Sequence, residues 1–455
     1  MEKNLTSGSV FKNILIFSLP YLLSYLLQTL YGMADLYIIG QFGTVSDTTA
    51  VSIGSQVMHM LTVMIVGIAM GATVFIGQSI GADDKKKAAK GIGNTITIFM
   101  LVSVILTVIL VALVKPTTTL MSTPADAVSG TIDYLTICFI GIPFITAYNV
   151  ISAIFRGMGD SKSPMYFIAI ACIANIGLDY LFMGVFHMGP AGAALGTTLS
   201  QAVSVLVSLA VILKRKIISL KKADFKPYRP VMENILKIGI PVALQDGLIQ
   251  IAFIIITIIA NNRGLSDSAA VGIVEKVMSF LFLVPSSMLS TVSALGAQNI
   301  GANKPKRAVD TLRYAAFLAA GFGCIVAVVI QFWAEPVVSL FTDAATAEGA
   351  EVVRLGGQYL RGYVWDCIFA GVHFCFSGYF CAIGKSGISF LHNIIAIVVM
   401  RIPGVYLTSK LYPATLFPMG LATASGSVIS VVICVTAFTI LMKKNRQNET
   451  GVWHG

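Results

Sequence analysis

Gly77-Gln78-Ser79-Ile80-Gly81-Ala82-Asp83 returns in the second half of the chain as Ala297-Gln298-Asn299-Ile300-Gly301-Ala302-Asn303. Working outward, Ala50-Val51-Ser52-Ile53 with Val57-Met58 matches Ala270-Val271-Gly272-Ile273 with Val277-Met278 at the same offset, and Pro20 aligns with Pro241 after a one-residue slip. Phe155 and Gly159 pair with Phe380 and Gly384, and Gly192 pairs with Gly420, as loops change length. A repeat of this span is read before any single motif, because it sets the architecture. The chain therefore holds two homologous halves.

Hydrophobic residues make up 56% of the 455 and charged residues only 11%, well below the charged share of a soluble domain. Twelve apolar runs reach the roughly 20 residues that a bilayer demands. They begin near Ile14, Thr49, Ile92, Ile132, Pro164, Ala191, Ile235, Ala269, Ala308, Tyr359, Ile388 and Leu416. Lipid offers no partner to a backbone amide, and the runs lack the alternation of a barrel strand, so each is predicted to be a helix. The expected fold is an all-α integral membrane protein, with twelve transmembrane helices in two pseudo-symmetric six-helix bundles. No small-residue cleavage site follows the first apolar run, so that run is expected to be retained.

The formal charge of +10 is distributed as a membrane protein's, not as a nucleic-acid binder's. Lys85, Lys86, Lys87 and Lys90 follow the second run, Arg156 and Lys162 the fourth, and Lys304, Lys306, Arg307 and Arg313 the eighth. Most Lys and Arg residues fall in every second loop or in the tails, which the positive-inside rule makes cytoplasmic. Both termini are then expected inside the cytoplasmic membrane, and the two halves insert with the same orientation, as in transporters built from parallel repeats. The expected segmentation is an N-terminal lobe at 1–213, a basic cytoplasmic linker at 214–231, a C-terminal lobe at 232–445 and a tail at 446–455. Lys221, Lys222, Lys226 and Arg229 suit the linker to anionic lipid headgroups.

Other chemistries are excluded by spacing. The seven cysteines stand singly, without Cys-x-x-Cys, so neither a disulfide framework nor a zinc site is implied. Gly384-Lys385-Ser386 ends a stretch of the wrong length for a phosphate-binding loop, and no strand precedes it. His59, His187, His373 and His392 form no His-Glu-x-x-His and are read as isolated. Gly-x-Ser-x-Gly is absent too, which removes the simplest hydrolase. The chain is not expected to be an enzyme.

An ionisable group at membrane depth is expensive, and is a functional candidate for that reason. Asp35 lies about five residues before the outer end of the first span, and Asp179 about as far from the outer end of the fifth. At about 1.5 Å per residue, both carboxylates sit roughly 7 Å below that end. Asn175 precedes Asp179 by four residues and shares its helical face. Thr197, about six residues into the sixth span, reaches nearly the same level. Two carboxylates, an amide and a hydroxyl make an oxygen-rich cluster that suits a hard cation such as Na+. The paired acids could instead share protons, because like charges side by side disfavour double ionisation. The alternative, in which Asp35 reaches the headgroups and Asp179 caps backbone, leaves the common depth unexplained.

In the second half, Glu275 and Arg401 lie at roughly matching depth on the eighth and eleventh spans, and an ion pair between them is the expected structural role. Asp366, on the tenth, is open to pairing with Arg361 or Arg401 or to contact with substrate. Asp246 follows Gln245 on the seventh. Pro20, Pro143, Pro241, Pro285 and Pro403 fall inside apolar runs, where they can bend helices.

These residues resemble the multidrug and toxic compound extrusion family, within the superfamily that also holds polysaccharide and lipid-linked flippases. The resemblance rests on Ala34-Asp35 with Gly40-Gln41, the paired Gln-x-x-Gly-Ala segments, Arg156 to Lys162, Asn175-Ile176-Gly177-Leu178-Asp179 and Gly189 to Thr197. It implies a twelve-helix antiporter with a cleft between two lobes, exporting amphipathic organic cations in exchange for Na+ or H+ by alternating access, with no cofactor. The family's N-lobe acidic site falls on Asp35, Asn175, Asp179 and Thr197. Relatives with an acid on the seventh and tenth helices match Asp246 approximately and Asp366 more closely. Membrane lipids are the expected surroundings and a monomer the expected assembly. A lipid-linked oligosaccharide or polysaccharide flippase is the rival reading, and it calls for a cationic interior.

Overall fold

Every long apolar run forms a helix, since only intrahelical bonds satisfy a backbone in lipid. The computed structural model describes residues 5–215 and 220–450; residues 216–219 of the expected linker and 451–455 of the expected tail lie outside the described residues. Among the described residues, ten helices are long and apolar enough to cross a membrane: α1 (Val10–Phe42), α2 (Val45–Gly81), α3 (Lys85–Ala112), α5 (Lys162–Val185), α6 (Gly189–Lys214), α7 (Arg229–Asn261), α8 (Leu265–Gly301), α9 (Pro305–Ser339), α11 (Ser386–Leu411) and α12 (Phe417–Lys444). Two more spans are bent pairs. They are α4 (Ala125–Ile140 with Ile142–Gly157, 48°) and α10 (Ala347–Tyr363 with Asp366–Ala382, 41°). The twelve expected helices are all present.

Local chemistry sets where they start. Thr44 and Asp47 close a capping box on α2, each backbone amide bonded to the other's side chain. Asp84 accepts from Lys87 N at 2.9 Å on α3, and Asp160 accepts from the amides of Lys162 and Ser163 at 3.0 Å on α5. Such caps satisfy the amides that a helix start leaves without partners.

The duplication is written in the backbone as well as in the letters. Ala82 N bonds Gln78 O and Asp84 N bonds Ser79 O; Ala302 N bonds Gln298 O and Lys304 N bonds Asn299 O. Asp83 and Asn303 both take left-handed φ, at 55° and 56°, a conformation that Asp and Asn tolerate better than most. Gly159 and Gly384 end α4 and the second part of α10 with the same two bonds, to Arg156 O and Cys381 O and through the next residue to Phe155 O and Phe380 O. The fourth helix of each half is the bent one. The fifth of each half carries a π-helical turn, at Tyr180–Val185 in α5 and Ala396–Arg401 in α11.

The chain folds into two compact units, one taking in residues 1–243 with 297–305 and the other 244–296 with 306–455. In the first, Phe75, Ile76, Phe155 and Phe167 pack one end of the core, and Ile39, Tyr134, Leu135 and Phe139 pack the other. The two copies of the repeat motif also meet there. A Cβ on Gly81 would collide with Gln298 O, and one on Gly301 with Gln78 O, so each glycine admits the other copy's backbone. The described part of the linker is strapped to α3. Asn94 bonds Asp224 O through its amide nitrogen and accepts from Tyr228 N, Thr97 bonds Phe225 O, and the Lys90 ammonium lies 3.2 Å above the Tyr228 ring. In the second unit the core is built on Val271, Val274, Leu355, Tyr359, Leu360 and Val405. Outward faces carry large apolar side chains such as Leu101, Val108, Phe317, Phe332 and Trp333, as helices solvated by lipid require.

Candidate functional site

The first unit brings Asp35, Asn175, Asp179 and Thr197 together, from α1, α5 and α6. All four are buried, at 2%, 0%, 0% and 8% of their free surface, which removes the reading in which Asp35 reaches the headgroups. Thr197 donates its hydroxyl to Asp35 Oδ2 at 3.0 Å. The two carboxyls and the Asn175 amide lie within electrostatic reach of one another. Beyond the Thr197 bond, Asp35 Oδ1, both Asp179 oxygens and both amide atoms of Asn175 have no hydrogen-bond partner.

Local structure explains how α5 and α6 approach so closely. Gly196 lies against Asp179, and a Cβ there would collide with Asp179 Oδ1. The glycine thus leaves space for the carboxylate one residue before the threonine that faces Asp35. Directly after Asp179, α5 widens into its π-helical turn, a departure that often accompanies functional positions. Tyr31 stands one turn before Asp35, and its hydroxyl points to Thr197 O at 3.5 Å. Sequence reasoning missed Tyr31 and Gly196. Four-residue spacing from Asp35 was the available signal for the tyrosine, and adjacency to Thr197 for the glycine. It also missed a buried polar stripe on α6, where Ser200, Gln201, Ser204 and Ser208 continue from Thr197.

Chemically the cluster holds an excess of oxygen acceptors and no Lys or Arg among its contacts. Burying such groups unpaired is costly, and a cation or a proton supplied at Asp35 and Asp179 offsets that cost. The free donor set is oxygen-only: Asp35 Oδ1, two Asp179 oxygens and Asn175 Oδ1. It fits a hard monovalent ion, and with two carboxylates it falls short of the three or more acidic, His or Cys groups of a transition-metal cluster, none of which exists among the described residues.

The second unit corrects two expectations. Arg401 does not pair with Glu275. Its Nη2 bonds Asp366 Oδ2 at 3.0 Å and Ser427 Oγ at 3.2 Å, while Glu275 accepts from Thr257 Oγ1 on α7 at 3.3 Å. Arg361 is taken by Glu335 in a two-pronged ion pair. The physical cause is helical phase. Arg401 ends the π-helical turn of α11, whose extra residue rotates everything beyond it by about 100° relative to an unbroken helix. Asp366 is fully buried and begins the second part of α10 after its bend, where the helix start favours a negative charge. Asp246 is half-buried beside Gln245, and no ion pair joins it to Arg401 among the described residues.

The second correction concerns histidine. His373 and His392 are not isolated: their rings pack at 5.4 Å between centroids, tilted by 72°, with Ser377 Oγ 2.9 Å from His392 Nε2. The two residues lie on opposite sides of the turn at residues 383–385, and the hairpin of α10 and α11 brings their rings into contact.

Comparison with known proteins agrees with this architecture. The MatE family model matches residues 20–181 and 241–407, one stretch in each half of the repeat. The chain is 30% identical over 401 residues to the probable multidrug resistance protein YpnP of Bacillus subtilis, covering 88% of each chain. It is 25% identical over 379 residues to the multidrug export protein MepA of Staphylococcus haemolyticus, covering 83% of this chain and 82% of that one. Among solved structures, the fold matches a crystal structure of MATE in complex with MaL6 at a TM-score of 0.89 and 21% identity, covering 96% of this chain and 98% of that one. It matches an outward-facing multidrug resistance MATE family transporter of the MOP superfamily at 0.89 and 22%, covering 97% of each. The repeated motifs, the twelve helices and the matched family model together make this chain a member of the MATE family of multidrug and toxic compound extrusion transporters.

Proposed function

We propose that this protein is a secondary active multidrug efflux antiporter that exports amphipathic organic cations in exchange for Na+ or H+ by alternating access. The observation that carries the reading is the buried pair Asp35 and Asp179, which together with Asn175 leave five side-chain oxygen and nitrogen atoms without hydrogen-bond partners in a membrane-embedded bundle. A coupling ion must bind one access state better than the other, since equal affinity shifts nothing. Asp35 and Asp179 would hold the ion, Thr197 would orient Asp35, and Asn175 would lend its amide oxygen. Relatives named as multidrug export and multidrug resistance proteins support the substrate class. The distribution of Lys and Arg supports a cytoplasmic-membrane protein with both termini inside, and a monomer is the assembly we propose.

The test is transport by purified protein in liposomes, with a Na+ gradient and a proton gradient imposed separately and a fluorescent organic cation as reporter. Uphill movement of the cation, abolished by the ionophore that collapses the driving gradient, is the expected result. Flux that never exceeds equilibration under either gradient contradicts antiport.

A further inference from the structure

The two copies of the repeated motif touch, and they touch reciprocally. A Cβ on Gly81 would collide with Gln298 O, and one on Gly301 with Gln78 O, so the ends of α2 and α8 cross at two positions that the repeat itself equates. A side chain at either position would hold the neighbouring backbone off. Further bonds tie the second copy to the first half of the chain. Gln298, 1% exposed, donates from Nε2 to Gly157 O at the end of α4 at 2.9 Å, and Lys304 Nζ donates to Thr6 O at 2.9 Å. Deeper along α2 a second glycine crossing follows, this one with α7. A Cβ on Gly71 would collide with Ile235 O, and one on Gly239 with Ile68 O. Residues 229–243 of α7 and 297–301 of α8 accordingly pack within the first unit.

We propose that the paired Gln-x-x-Gly-Ala segments are a latch that holds the ends of α2 and α8 together at the face that the basic loops mark as cytoplasmic. The inference rests on the alternating-access reading, which requires that face to open in one state. A crossing of bare backbones suits the task. A gap of about 1 Å forfeits up to about half of the attraction at each atom pair, so such a contact is closed or open and is not continuously adjustable. The Gln298 bond to Gly157 O exists only while the end of α8 stays against the end of α4. A methyl group at Gly81 or Gly301 is incompatible with the closed crossing and indifferent to an open one, and it therefore shifts the balance toward open. The repeat makes the two glycines equivalent, so either substitution acts in the same direction.

The test is a distance measured by pulsed electron resonance on the purified full chain in nanodiscs. Spin labels sit on Lys86→Cys and Lys306→Cys, exposed positions just beyond the two copies, with the exposed native Cys324 replaced. Gly81→Ala, Gly301→Ala and Gln298→Leu are compared with the parent and with Gly272→Ala, a control on α8 where nothing lies within 4 Å of the new Cβ. The parent and the control are expected to share one short distance, and each of the other three to lose part of that population to a longer one. Unchanged distances in all three, a shift from only one of the two glycines, or the same shift in the control overturns the proposal. Should an alanine variant fail to fold, Gln298→Leu, which adds nothing at the crossing, decides by itself. The measurement uses neither substrate nor gradient, so antiport can fail in liposomes while the latch stands, and the reverse.

Discussion

Thr197 on α6 donates to Asp35 Oδ2 on α1 across 3.0 Å, and the next residue back, Gly196, lies against Asp179 on α5. Two consecutive residues of one helix therefore address both carboxylates of the site. A hydrogen bond to a charged group contributes roughly 1.5–3 kcal/mol, or about ten- to a hundredfold in an equilibrium. We expect Thr197→Ala to weaken the apparent affinity for the coupling ion by about that factor, and Thr197→Ser to restore most of it, measured as the ion concentration that half-saturates transport.

Gly196→Ala separates packing from helix propensity. Alanine is the better helix former by about 1 kcal/mol, so the substitution on an open helix would stabilise. Here the new Cβ meets Asp179 Oδ1 and must displace it. The expected outcome is normal yield in the membrane with transport largely lost; undiminished transport would show that the close approach is dispensable.

Arg401 and Asp366 form the ion pair that closes the second unit's polar interior. Breaking such a pair from one side leaves a charge uncompensated at a cost of about 3–5 kcal/mol. Arg401→Gln and Asp366→Asn should each lower thermal stability in detergent, and the double variant should recover a large part. Glu275 accepts from Thr257 Oγ1 and has no ion pair among the described residues, so Glu275→Gln should be milder and additive with Arg401→Gln.

Topology follows from the basic loops. Cysteines introduced at Lys86 or Lys222 are expected to react with an impermeant thiol reagent only from the cytoplasm, and those at Asp47 or Asp343 only from outside. Cys324 is the exposed native cysteine and has to be replaced first. Labelling at Lys222 in intact cells would reverse the orientation.

Much of this was legible in the letters because it depends on distance along the chain. Apolar length gives the twelve spans, the recurring Gln-x-x-Gly-Ala gives the duplication, and counting at 1.5 Å per residue put Asp35, Asp179 and Thr197 at one level. The helical phase of Asn175 and Asp179 survived because both precede the π-helical turn of α5. Arg401 comes at the end of such a turn, so its depth was readable and its facing was not, which is why the Glu275 partner was the wrong one. His373 and His392 were missed for a different reason. Neither belongs to a local motif, and their meeting depends on the register of the α10–α11 hairpin.

The claim at the centre is that Asp35 and Asp179 act as one coupling site. Asp35→Asn and Asp179→Asn keep nearly the same volume and remove one charge each, so both variants should fold and reach the membrane. The measurement is gradient-driven export of a fluorescent organic cation by each single variant and by the double, reconstituted at equal density in liposomes. Loss of uphill export in both singles, with the double no worse than either, is the expected result; undiminished export by both singles would contradict it.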